Sequence, residues 1–168
     1  MKFETLSLLH VNRLFEFELK NKGWFESMIE PRSECFYSNT GVLSHVNMLL
    51  TDMEMGKGFN AVITKDDAII ARANLKNIKH GCAEVGFRVS SENTGQGVGS
   101  FCLTVLIDYA KELNLKQLNA FVLENNIASK RVLEKQGFVV IDNIKQYLRV
   151  NNEVYDCWVL QKNLDNVN

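Results

Sequence analysis

Apolar positions recur at helical spacing through the first third of this 168-residue chain and as strand-like runs thereafter. Leu6 to Leu9 reads as a short first strand, and Asn12 as the cap of a helix through Phe15, Phe17 and Leu19. Trp24, Phe25, Met28 and Ile29 suggest a second helical piece that stops before Pro31. After the polar break Ser38-Asn39-Thr40-Gly41, the residues Val42, His45, Val46, Leu49, Leu50 and Met53 mark a longer helix, ended by Gly56 and Gly58.

From Phe59 the pattern changes. Phe59 to Thr64, Ala68 to Leu75 and Cys82 to Val89, separated by Asp66-Asp67 and His80-Gly81, read as an antiparallel meander. A glycine-rich loop follows, then a helix with Phe101, Val105, Leu106, Tyr109, Ala110 and Leu113 on one face. Leu118 to Leu123 is the next strand, Ala128 to Gln136 a shorter helix stopped by Gly137, and Phe138 to Ile141 the start of another strand. The segment up to Val150, an Asn151-Asn152 turn and Val154 to Leu160 complete a terminal hairpin. An antiparallel half followed by alternating strands and helices is an α/β pattern with a mixed sheet, and the glycine loop lies where the halves meet.

Composition narrows the reading. With 46% hydrophobic residues and one proline, the chain suits one compact domain without linkers or repeats. A formal net charge of -1 supplies no global field for nucleic acid. The charged start Met1-Lys2-Phe3-Glu4-Thr5 does not resemble a signal peptide, and no apolar run approaches the ~20 residues of a membrane span, so a soluble cytoplasmic protein is expected. Cys35, Cys82, Cys102 and Cys157 are scattered without a CxxC pair, as are His10, His45 and His80, so reduced thiols and no metal site are expected.

The loop Thr94-Gly95-Gln96-Gly97-Val98-Gly99-Ser100 carries the chemistry. Alternate glycines leave the backbone unshielded, so its amides can turn toward one anion at the helix start, although a glycine-rich turn can also be plain punctuation. No Gly-Lys-Ser/Thr follows, and the glycine spacing is not that of a dinucleotide fold, so neither a nucleoside triphosphate nor NAD is favoured.

Four segments together resemble a known family. Val85-Gly86-Phe87-Arg88-Val89, Gly95-Gln96-Gly97-Val98-Gly99, Asn126-Ile127-Ala128-Ser129 and Glu134-Lys135-Gln136-Gly137-Phe138 are similar, in order and spacing, to GNAT acetyltransferases, particularly the RimJ/RimL-like branch. The resemblance implies a GNAT-like fold with splayed central strands, acetyl-CoA as co-substrate without a metal, and transfer of acetyl to an amine. It divides the chain into an acceptor-side region at 1–58, an acetyl-CoA-binding core at 59–137 and C-terminal strands at 138–168.

By that resemblance Gly95, Gln96, Gly97, Val98, Gly99 and Ser100 surround the pyrophosphate, with Thr94 where the family usually has Gln or Arg. The backbone of Phe87, Arg88 and Val89 lies along the pantetheine arm, and Asn126 approaches the thioester while also suiting a helix cap. Where many members carry a tyrosine that protonates the leaving thiolate, this chain has Leu133; Ser129 is the hydroxyl implied for the RimJ/RimL-like branch, otherwise a helix serine bonded to its own chain. Glu84, an acid in an apolar strand, is the candidate base, or alternatively a solvent-facing strand residue.

Trp24, Phe25, Phe36 and Tyr37, with Arg32, match an aromatic stretch that would wall the acceptor slot, while Glu26, Glu30 and Glu34 would attract a cationic amine or simply solvate a helix. Tyr147, Tyr155 and Trp158 could border that slot or pack the hairpin. The implied acceptor is a protein N-terminal α-amino group, such as that of a ribosomal protein, handled by a monomer or homodimer with no direct nucleic-acid or membrane contact. Within the enzyme class a polyamine, amino acid or antibiotic is the alternative. A non-catalytic acyl-CoA-binding module and a partner-binding domain are the other readings.

Overall fold

In the computed structural model, which describes residues 1–150 and 152–164, β-branched and apolar runs pair into one sheet. β1 (Lys2–Thr5), β2 (Phe59–Lys65), β3 (Ala68–Lys79) and β4 (Cys82–Val89) form an antiparallel meander. β5 (Gln117–Leu123) joins β4 in parallel. β7 (Glu153–Asn163) pairs antiparallel with β5 and carries β6 (Val139–Val150) on the outer edge, giving the order β1-β2-β3-β4-β5-β7-β6. This is the mixed α/β architecture that the pattern predicts. Asn151, half of the expected hairpin turn, lies outside the described residues.

The expected first strand at Leu6 to Leu9 is displaced. The strand is Lys2–Thr5, where Phe3 pairs opposite Ile63, and Leu8–His10 form a 3-10 turn that leaves Leu9 exposed. Of the residues that suggested a strand, Leu6 follows β1 and is buried, while Leu8 and Leu9 lie in the turn. The cap position of helix α1 (Val11–Lys20) is His10 rather than Asn12. Helix α2 (Lys22–Glu26) ends before Met28 and Ile29. The break at Ser38-Asn39-Thr40-Gly41 is the cap and first turn of α3 (Asn39–Glu54): Ser38 Oγ accepts from Gly41 N at 3.0 Å.

Two apolar layers flank the sheet. On one face, Ala73 and Leu75 of β3 and Ala83 and Val85 of β4 pack under Leu103, Leu106 and Ala110 of α4 (Val98–Glu112). Leu133 of α5 (Ile127–Lys135) joins the same core. On the other face, Leu14 and Phe17 of α1, Phe25 of α2 and Val42 and Val46 of α3 cover Val62 and Ile69. Strand alternation therefore turns Arg72, Asn74 and Lys76 of β3 toward the helical face, in register with Arg88, Gly86 and Glu84 of β4.

The local packing separates two glycines. A Cβ at Gly41 would lie 2.1 Å from the Cys35 carbonyl oxygen and 2.7 Å from that of Phe36, whereas a Cβ at Gly23 would meet nothing within 4 Å. Gly41→Ala is expected to destabilise the protein by about 2 kcal/mol. Gly23→Ala, an open helical site, should stabilise it by about 0.5–1 kcal/mol. Thermal denaturation of the two variants should show shifts of opposite sign.

Candidate functional site

Parallel pairing between β4 and β5 is confined to Cys82–Glu84 opposite Gln117–Asn119. Beyond Glu84 the strands diverge, while β5 stays paired with β7 through Leu123. The backbone of β4 then faces an open cleft. Ser90 N donates to Ile70 O at 2.9 Å on the β3 side, so by alternation the amides and carbonyls of Val85, Phe87 and Val89 point the other way, into the gap. The indole of Trp24 reaches across and donates from Nε1 to Val89 O at 3.1 Å.

The cleft opens into a cavity of about 1120 Å³. One end is the glycine loop. Gly95 and Gly97 take left-handed φ values of +73° and +80°, and a Cβ at either would meet nothing within 4 Å. Gly97 caps α4 without any side-chain hydrogen bond, and the first helical bond runs from Phe101 N to Gly97 O at 3.0 Å. The amides of Val98, Gly99 and Ser100 are thus the orphan donors of a long helix, suited to anionic oxygens. Phe87 tucks beneath Gly99, where a Cβ would lie 3.1 Å from its ring.

The side chains of the loop are used within the loop. Thr94 Oγ1 donates to Ser91 O at 2.9 Å, and Gln96 Nε2 to Glu92 O at 2.9 Å. Thr94, Gly95, Gly97, Val98, Gly99 and Ser100 line the cavity; Gln96 lies outside that lining. Arg131 and Lys135 of α5 add positive charge to the wall.

At the fork, Glu84 is half-buried and accepts a hydrogen bond from Asn77 Nδ2 at 2.8 Å. On the β5 side, Asn126 caps α5 by accepting from Ser129 N at 3.1 Å through Oδ1, which leaves its amide nitrogen available. Asn126 and Ser129 both line the cavity, and Leu133 beside them is 2% exposed and carries no proton. Glu84, Phe87, Arg88, Val89, Asn126, Ser129, Trp24 and Phe25 are thus brought to one cavity. Phe36 and Tyr37 are not. Phe36 is buried in the helical core with its ring 5.2 Å from that of Tyr37, whose hydroxyl donates to Glu26 Oε1 at 2.8 Å.

Several lining residues carry no motif: Met28, Ile29, Asn74, Lys76 and Cys157. Tyr147 and Leu148 enter because β6 is irregular between Ile144 and Leu148; Gln146 has φ +52° and donates from N to Asp156 Oδ1 at 3.0 Å. Period and register would have shown Asn74 and Lys76 once β3 was aligned with β4, whereas the bulge gives no sequence signal.

Beneath the N-terminal helices lies a charged cluster. Glu18, 1% exposed, pairs through Oε1 with Arg72 Nη1 and stands 3.6 Å from Arg88 Nη1 through Oε2. His45 Nε2 lies 3.3 Å from Arg72 Nη2. Burial raises the pKa of Glu18, but Arg72 and then Arg88 outweigh it, and the carboxyl ends below its ordinary value. Burial and then Arg72 hold His45 far down, at about 3, so its imidazole is neutral at pH 7.

Comparison with known proteins decides what this arrangement belongs to. Residues 18–139 match the model of the acetyltransferase (GNAT) domain. The chain is a GNAT acetyltransferase. It is 26% identical over 147 residues to the probable N-acetyltransferase YjcK of Bacillus subtilis (strain 168), covering 84% of this chain and 81% of that one. It is 27% identical over 151 residues to the ribosomal-protein-serine acetyltransferase of Escherichia coli (strain K12), with coverage of 88% and 83%. Its fold superposes with a TM-score of 0.88 on a RimL ribosomal L7/L12 alpha-N-protein acetyltransferase in complex with coenzyme A, at 20% identity over 98% of this chain and 94% of that one. Among the described residues of this GNAT chain, no cluster of three metal-ligating side chains occurs and no helix is long and apolar enough to cross a membrane.

The charged cluster contributes to the acid response of this GNAT fold. His45 has a folded pKa below its unfolded value, so stability present above about pH 6.5 is lost as pH falls toward 3. Glu18, also depressed, contributes stability above the ordinary carboxyl range that is lost only below it. His45→Gln should flatten the fall in melting temperature between pH 6.5 and 5, a window in which Glu18 stays charged. Glu18→Gln should cost about 3–5 kcal/mol near neutrality, because it leaves buried guanidinium groups unpaired. Thermal denaturation across pH measures the first and chemical denaturation near neutrality the second.

Proposed function

We propose that this protein transfers acetyl from acetyl-CoA to a primary amine, with a protein N-terminal α-amino group, of the ribosomal-protein type, as acceptor. The observation that carries the reading is the alignment, along one cleft, of an anion-ready helix start, an unpaired strand edge and a carboxylate at the fork. The E. coli relative that acts on a ribosomal-protein serine supports the acceptor class. Work in the cytoplasm fits a donor made there.

The glycine loop and the amides of Val98 to Ser100 hold the pyrophosphate, and the cleft-facing backbone of Val85 and Phe87 pairs with the pantetheine amides. Because Trp24 already occupies the Val89 carbonyl, strand pairing is centred on Val85 and Phe87. Residues 1–58 supply the acceptor side through Trp24 and Phe25, residues 59–137 hold the donor, and 138–168 close the far wall.

An α-amine with a pKa near ~8 is about a tenth neutral at pH 7, so a base that accepts its proton raises the reactive fraction. Glu84 takes that role, directly or through water. The neutral nitrogen attacks the thioester carbon and the C–S bond breaks; the remaining ammonium proton of the adduct passes through water to the departing sulfur, so that an amide and CoA thiol result. Ser129 donates a hydrogen bond to the departing sulfur, with Asn126 fixing the helix turn that presents it.

Glu84→Gln should lower kcat/KM by about 10²-fold or more at pH 7, and the deficit should shrink as pH rises and the amine loses its proton unaided. Acetyl-CoA affinity, measured by calorimetry, should stay within about threefold. Full activity of this variant across pH would remove the base assignment, and absence of CoA release with every amine would favour a non-catalytic acyl-CoA-binding module.

Ser129→Ala should lower kcat by roughly tenfold with little change in the acetyl-CoA KM. Steady-state thiol release at saturating amine measures this. An unchanged kcat would return Ser129 to a structural role in α5.

A further inference from the structure

The helical face of β3 and β4 carries more positive charge than its own residues answer. Three guanidinium groups, Arg72, Arg88 and Arg32, share the field of one carboxylate, Glu18, and His45 is neutral, so the cluster holds a balance of two positive charges. Arg72 is bonded to Glu18. Arg88 is not: the 3.6 Å from its Nη1 to Glu18 Oε2 is too long for a hydrogen bond. Among the described residues this nitrogen is buried without a partner.

Arg88 also lines the cavity, with its side chain 25% exposed and its guanidinium 5.6 Å from the ring centre of Phe25. One rung along the same wall, Asn74 lies over Gly86, and its Oδ1 is a second buried polar atom without a partner among the described residues. Unmade hydrogen bonds cost stability, so an arginine that lines the cavity, is partly exposed there and makes no side-chain hydrogen bond among the described residues points to an anionic ligand. Lys76, one rung further, stands opposite Glu84, whose charge only partly offsets the burial that lowers the lysine's pKa.

Resting on the acetyl-transfer reading, we infer that Arg88 is a specificity-determining residue that selects amine acceptors bearing a carboxylate. The carboxylate accepts from the exposed part of the Arg88 guanidinium, while Nη1 stays turned to Glu18. Glu84 and Arg88 are four residues apart on one strand, roughly 13 Å between α-carbons. That span suits a peptide with an acidic side chain at its second or third residue. It exceeds the separation of amine and carboxylate within an α-amino acid, and free acidic amino acids are the other source of the same group.

Matched acceptors test this with the full chain: peptides beginning Ser-Asp or Ser-Glu against Ser-Asn or Ser-Gln, and free glutamate against glutamine, each scored by CoA release. The acidic peptide should be preferred by about tenfold or more in kcat/KM. Arg88→Gln should bring the ratio near one, and Arg88→Lys should restore part of it. Calorimetric acetyl-CoA affinity and circular dichroism monitor the integrity of the variants, and the wild-type ratio stands without them.

A preference confined to glutamate would support carboxylate selection and assign it to a small acceptor. Equal use of acidic and amide partners, or a preference that survives Arg88→Gln in a folded variant, would overturn the inference and leave acetyl transfer standing. No release with any pair, from protein that binds acetyl-CoA, would overturn the acetyl-transfer reading and this inference with it.

Discussion

The site depends on β4 losing its neighbour. After three residues of parallel pairing, β5 turns away with β7, and the β4 edge beyond Glu84 is left without backbone partners in the sheet. A half-paired strand in the middle of a sheet is costly, because its amides and carbonyls are strong obligatory hydrogen-bonding groups. That unspent capacity is what a chain of amides such as pantetheine can use. The same divergence sets Glu84 at the vertex and the glycine loop at the open end, so the carboxylate, the open strand edge and the anion-ready helix start fall along one line.

The fork is held open by contacts from outside the sheet. Trp24 ties α2 to the end of β4, and Asn125 Nδ2 donates to Ser27 O at 3.4 Å from the β5 side. The segment after α2 therefore spans the mouth of the cleft. Beneath it, Glu18 is far from water, and the desolvation of its carboxylate is offset only because Arg72 and Arg88 converge on it from adjacent strands.

The core elements were legible because each obeys one period. The β2–β4 meander, α4 and β5 carry clean apolar patterns bounded by turns, and the glycine loop announces itself by composition. The chain start was less legible: Leu6 to Leu9 is apolar enough for a strand, yet Phe3 is the residue that pairs opposite Ile63, and nothing local distinguishes the two. Phe36 and Tyr37 share their aromatic character with Trp24 and Phe25, but only the pair before Pro31 reaches the cavity, Phe25 doing so from within the helical core.

The charged cluster left a faint trace. Glu18 falls four residues after Leu14, on the buried stripe of α1, and Arg72 interrupts an otherwise apolar run in β3. Each reads alone as an exception. Only the register of β3 with β4, together with the crossing of α1, reveals that the exceptions answer one another.

Glu18 is shared between the first helix and two strands that lie more than fifty residues further along the chain. Removing the helix would not merely uncover apolar surface; it would strand two guanidinium groups in a low-dielectric wall. The N-terminal helices are thus no appendage laid on a finished sheet. They and the central strands are bound into one cooperative folding unit, in which the helices cannot loosen far without cost to the strands that line the cavity.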